Sequence, residues 1–342
     1  MKELRDRIWV VTFAAFAYAC AKAPVTNPSS AASIAPPVVE MSEAHATSST
    51  PAAKNAKVAP EVSVAQVAVE EPVPLIAYDE WKGFGVRKCS YLAPKGEFVH
   101  EDGSVDVVFH FHAGQMSDRE IRESGVNGVF VSCGFGVGSA PYANAFADPN
   151  RFGQMVTSLM WSIGNETKKK VHLGHLALVS WSAGFASVGR ILSVQKWYEA
   201  TDTVVLLDSL HAPYKDPDKG PGQGDEQVVV KAIWNLVRFA EDASYGKKTM
   251  VITHSSIIPP DYASSTEATH ALLDAIDVPM ESVGDEIGPR GMKLFSRADS
   301  KNLHVRGYRG QNASDHFDHL HLVGEELRTF LIPQWKTAPV AP

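Results

Sequence analysis

LALVSWSAGF, residues 176–185, is an apolar run that stops at a serine framed by small residues. Leu176 to Val179 carry side chains suited to a buried strand, and Ala183 and Gly184 let the chain turn sharply behind Ser182. Two readings follow. In one, a strand enters a helix through a tight turn that happens to hold a serine. In the other, the turn is a nucleophile elbow, which lifts the serine Oγ above the end of a sheet.

Outward from this turn, apolar strands alternate with amphipathic helices. Residues 105–111 (VDVVFHF) and 128–133 (GVFVSC) read as strands, and Asp148-Pro149 opens a helix through RFGQMVTSLMWSIG. After the elbow, residues 183–194 read as a helix with Phe185, Val188 and Leu192 on one stripe. Residues 203–207 (TVVLL) are the next strand, a Gly/Pro/Asp-rich loop fills 213–225, and 226–243 reads as a helix. Residues 249–253 (TMVIT) form a further strand, and Ser264-x-x-Glu267 is a capping box for a helix to Ala275. Residues 303–307 read as the last strand, and Ser314 or Asp315 caps a final helix with His316, Leu320, Val323, Leu327 and Leu331 on one stripe. This alternation predicts an α/β fold: a doubly wound, mostly parallel sheet with helices on both faces. Ligand sites in such sheets gather beyond the carboxyl ends of the strands.

The chain has 342 residues, 44% of them hydrophobic, and a net charge of −7 with acids and bases interspersed. No basic footprint for nucleic acid is visible. Residues 1–19 read as a signal peptide: a charged start, then the apolar IWVVTFAAFAYA, too short to span a bilayer comfortably. Ala17-Tyr18-Ala19 is a small-x-small cleavage signal, and Cys20 behind it resembles the lipidated cysteine of a bacterial lipobox. That places the mature protein outside the cytoplasm, as a periplasmic, envelope-attached or secreted bacterial protein, with membrane attachment through Cys20 as one option. Residues 20–74, rich in Ala, Pro, Ser and Val, read as a disordered tether. The folded domain is expected over 75–335 and a tail over 336–342. Cys89 and Cys133 lie in the folded part, where export permits a disulfide and two separate buried thiols fit equally well.

A nucleophile at Ser182 needs a base, a group that orients the base, and oxyanion donors. For the base, SDHFDHLHLV offers His316 in the first turn of the last helix, with His319 one turn further in as the alternative. For the acid, TVVLLDSLHA puts Asp208 directly behind a strand, where a buried carboxylate has to be paired. Asp261 and Glu267 are alternatives, although Glu267 already has a task in the capping box. Oxyanion donors are expected from the amides of Ala183 and of the His112-Ala113 turn in FHFHAGQM. His110 and His112, two apart on one strand face, are candidates for packing, substrate contact or metal ligation.

These segments (HFHAG, SWSAG, LLDS and SDHFDH, in that order) resemble the α/β-hydrolase superfamily over roughly residues 80–335. Ser180 departs from the family's G-x-S-x-G, and most members carry the acid one strand later; a lipase-like minority has it where Asp208 stands. The resemblance implies a serine esterase or hydrolase acting on a small-molecule or polymer ester without a cofactor or metal. Two other functions stay open on the residues alone. One is a non-catalytic ligand-binding protein on this fold; the other is a metal-dependent hydrolase using His110, His112 and the late Asp/His cluster. The chain has no H-E-x-x-H motif and no cysteine ligand set for the latter.

Overall fold

The computed structural model describes residues 75–337. The expected leader, Cys20, the tether and residues 338–342 lie outside the described residues. Nine strands form one sheet: β1 (Cys89–Leu92), β2 (Ser104–Phe111), β3 (Val129–Cys133), β4 (His172–Trp181), β5 (Thr203–Leu207), β6 (Thr249–Ser255), β7 (Glu281–Ile287), β8 (Lys293–Ser300) and β9 (Leu303–Tyr308). Their order is β1-β3-β2-β4-β5-β6-β9-β8-β7. The run from β3 to β9 is parallel, while β1 at one edge and β8 and β7 at the other are antiparallel. This is the doubly wound, mostly parallel α/β fold expected.

The central strands are buried on both faces, which is why they read as continuous apolar runs rather than as alternations. In β4, Leu176 and Leu178 enter one core layer, and Ala177, Val179 and Trp181 enter the other. The helices in chain order are α1 (Asp118–Arg122), α2 (Ser139–Ala145), α3 (Arg151–Thr167), α4 (Phe185–Leu192), α5 (Gln195–Ala200), α6 (Trp234–Ser244), α7 (Ser265–Asp274), α8 (Ala313–Leu320), α9 (Val323–Glu326) and α10 (Ile332–Thr337). Helices α2 to α7 cover the first layer. In α3, Phe152, Met155, Val156, Leu159 and Ile163 form the buried stripe. On the opposite face Ile121 of α1 packs with Leu320, Val323, Leu327 and Leu331.

Several expected elements differ. The helix expected over 226–243 is two 3-10 turns followed by α6 from Trp234. The last helix is segmented, with a π-helical turn at Leu327–Leu331 between α9 and α10. Its cap is Asn312 rather than Ser314 or Asp315: the Asn312 side chain accepts the amides of Ser314 and Asp315, and Asp315 returns the bond to the Asn312 amide. Helix α10 runs to Thr337, two residues into the stretch expected to be a tail. The capping box at Ser264 and Glu267 is present as expected. Cys89 and Cys133 face each other in the β1–β3 pair and form a disulfide. Among the described residues no helix is long and apolar enough to cross a membrane.

Candidate active site

Ser182 follows the last residue of β4 and has φ 51°, a left-handed conformation that a serine adopts only when its surroundings impose it. Those surroundings are identifiable. A Cβ on Gly184 would collide with the Phe111 carbonyl, so only glycine lets the chain pass this close to β2. The Ser209 hydroxyl donates to the Ser182 carbonyl at 2.7 Å. Ser209 Oγ also lies 2.7 Å from Ser180 Oγ, and since its one proton is used, Ser180 is the donor there. The serine standing where the family motif has glycine is therefore the first link of a chain that holds the turn. Ser182 itself is half-buried.

Asp208 occupies the matching turn behind β5, also left-handed at φ 43° and 2% exposed. Its Oδ1 accepts the Ser255 amide at 2.9 Å and the Ser265 hydroxyl. Its Oδ2 lies 2.6 Å from His316 Nδ1. Burial by itself would raise this carboxyl. The charges of His319 and His316 and the hydrogen bonds from His316 and Ser265 outweigh burial and hold it well below the usual carboxylate range.

His316 sits in the first turns of α8, with its side chain 22% exposed. Trp181, the residue before Ser182, stacks on its ring with centroids 4.7 Å apart and donates Nε1–H to its carbonyl at 3.0 Å. Strand β4 and helix α8 are thus joined by one side chain. His319 goes elsewhere. It is fully buried, its Nδ1 lies 2.8 Å from Thr253 Oγ1, and burial brings its pKa down to about 4 despite the Asp208 charge. Of the two candidate bases, only His316 combines the Asp208 contact with exposure.

The other candidate acids are placed apart from this cluster. Asp261 is exposed on its loop. Glu267 caps α7 through Ser264 and ties down the 213–225 loop, accepting Tyr214 Oη at 2.8 Å and the Gly224 amide at 2.9 Å.

The turn behind β2 departs from expectation in one respect. The His112 amide donates to the Cys133 carbonyl at 2.9 Å, so it is already committed and cannot be counted as an oxyanion donor. His112 and Ala113 are both left-handed, at φ 72° and 56°. His112 therefore leaves the strand, and its ring does not share a face with His110. His110 lies beneath the turn, 1% exposed, where a Cβ on Gly114 would come within 2.9 Å of its ring. Among the described residues no group of three or more His, Cys, Asp or Glu side chains could hold a metal ion.

Sheet order and the strand–Ser182–helix elbow are those of an α/β-hydrolase-like fold. No family model and no curated protein matches the sequence. Solved structures to which the chain is similar include the poly(3-hydroxybutyrate) depolymerase LpqC of Bordetella parapertussis, at 14% identity over 70% of this chain and 82% of that one, TM-score 0.41. The BES protein of Bacillus cereus is 13% identical over 81% of this chain and 99% of its own, TM-score 0.39. A feruloyl esterase module of Clostridium thermocellum is 10% identical over 76% and 85%, TM-score 0.40. The fold assignment rests on the strand order and the elbow.

Proposed function

We propose that the protein is a serine hydrolase that cleaves an ester bond through Ser182, His316 and Asp208. The observation that carries this reading is the 2.6 Å contact between His316 Nδ1 and Asp208 Oδ2, on a ring stacked against the neighbour of a left-handed serine. With Nδ1 turned to Asp208, Nε2 is the atom left to take the Ser182 proton as Oγ attacks the ester carbonyl. The tetrahedral oxyanion is held by the amides of Ala183 and Ala113. His316 then protonates the leaving alcohol, and water, deprotonated in turn by His316, releases the acyl group from Ser182. Asp208 keeps the imidazole in the required tautomer and stabilises its charged form.

The Cys89–Cys133 bridge supports an oxidising compartment, in line with a leader over 1–19 and with Cys20 as a lipid attachment point. Mass measurement of the mature N-terminus from bacterial envelopes tests that part; an intact Met1 in the folded protein would overturn it.

The chemistry is tested by treating the folded protein with a fluorophosphonate and mapping the modified residue. Modification of Ser182, lost in Ser182→Ala along with turnover of an aryl ester, is the expected result. A folded protein that neither reacts nor turns over esters would instead be a ligand-binding protein on this fold.

A further inference from the structure

We propose that the imidazole of His112 is a further catalytic residue, whose Nε2–H donates a hydrogen bond to the oxyanion formed when Ser182 attacks. This rests on the hydrolase reading above. It starts from the committed backbone: the His112 amide is bonded to Cys133, yet the residue is held in a left-handed conformation beside the elbow. Something other than its amide is being positioned there.

The tautomer of the ring follows from its partner. Nδ1 lies 2.7 Å from the hydroxyl of Tyr142, a fully buried residue. Among the described residues that hydroxyl has no hydrogen-bond partner other than His112. A buried O–H has to donate, and Nδ1 is the one acceptor within reach, so the O–H is left for His112. Nδ1 is then the acceptor and the ring proton resides on Nε2. The ring is also fixed in plane, stacked on Trp181 at 5.0 Å between centroids and 13° between planes. Burial, and then the charge of His316, bring its pKa down to about 4, so it is neutral near pH 7. Among the described residues nothing engages Nε2. A neutral imidazole with a fixed N–H beside a nucleophile is suited to polarise a carbonyl and to stabilise the anion that forms on it.

Two substitutions separate this role from a merely structural one. Asparagine accepts the left-handed backbone and places its amide near the Nδ1 position, keeping the Tyr142 contact but no donor further out. Glutamine carries an amide N–H near the Nε2 position and gives up the Tyr142 contact. The readout is the rate at which a fluorophosphonate modifies Ser182, because its phosphoryl oxygen occupies the oxyanion position. His112→Asn is expected to be slower by about 10²-fold or more, and His112→Gln by no more than about 10-fold. The reverse order, or equal rates for all three proteins, would overturn the donor role while leaving Ser182 reactive. Wild-type protein that does not react at all would remove the hydrolase reading, and this role with it. Long-range 1H–15N correlation spectra of the folded full chain give a readout independent of activity and of variant folding. The His112 proton is expected on Nε2, and finding it on Nδ1 would overturn the proposal.

Discussion

Two of the histidine–carboxyl pairs among the described residues lie at opposite ends of the sheet and look alike. At the carboxyl ends of the strands His316 meets Asp208 at 2.6 Å under the ring of Trp181. At the amino ends His175, near the start of β4, meets Asp202 at 2.9 Å under the ring of Trp335. The difference lies in what surrounds each pair. The His175 side chain is 6% exposed, and Asp202 also accepts the indole of Trp335 at 2.9 Å and the Leu176 amide at 3.3 Å. That pair fastens the C-terminal helix and the β4–β5 connection. The His316 side chain is 22% exposed, its partner is almost wholly enclosed, and a left-handed serine stands one residue from the indole it stacks on. An imidazole beside a carboxyl is thus not a site by itself. Exposure of the ring and a nearby strained serine are what set the His316 pair apart, and the proposed chemistry rests on them.

Exchanging the elements of the two ends should break that comparison if it is wrong. Ser182→Ala should lower aryl-ester turnover by about 10⁴-fold or more without changing the melting temperature appreciably. Asp208→Asn should cost about 10⁴-fold in kcat, whereas Asp202→Asn should leave kcat within about 2-fold and lower stability by about 1–3 kcal/mol in urea unfolding. Equal kinetic effects of the two would show that the ends are not functionally distinct. The same pair differs in acid. The folded Asp208 carboxyl lies below its unfolded value near 4, so its contribution is complete above that value and is lost as pH falls through the lower folded one. The stability gap between wild type and Asp208→Asn should therefore narrow on acidification below about pH 4.

A smaller effect, on stability, is expected from the disulfide. Cys133 carries both the bridge to Cys89 and the carbonyl that holds the His112 amide. Replacing both cysteines by serine should cost about 2–4 kcal/mol by freeing the unfolded chain, lowering Tm by about 5–15 °C. Turnover below the new Tm is expected to persist, because β1–β3 pairing still aligns Cys133's backbone.

The smallest effect belongs to a carboxyl with no imidazole. Glu326 is 6% exposed, and burial, helped by the charge of Glu325, pushes its pKa up to about 8 against the opposing pull of Arg306. Because the folded value is above the unfolded one, ionisation opposes folding as pH rises from about 4.5 to 8. Glu326→Gln should raise Tm by a few degrees at pH 9 and leave it nearly unchanged at pH 5, read by differential scanning calorimetry.

Much of this was legible because it is local. Strands buried on both faces must be apolar throughout, so β2 to β6 stand out in the sequence, as does the capping box at Ser264. The β7–β8 hairpin gives no such signal. Glu281–Ile287 is exposed along nearly its whole length and therefore carries no apolar alternation. The Asn312 cap was hidden by the neighbouring Ser314 and Asp315, either of which has the right chemistry for that position.

What the sequence by itself determined is the alternation of strands and helices, the turn at Ser182, and the acidic and histidine-rich segments that follow it. Each depends on side chains a few residues apart, and hydrophobic periodicity and turn chemistry act over that range. Only the tertiary structure decided that Asp208 meets His316 and not His319, that Cys89 lies opposite Cys133, and that the His112 amide is committed to another strand. Those outcomes depend on strand register and on the direction each helix presents to the sheet. They are set by packing between segments up to 108 residues apart, which no local pattern encodes.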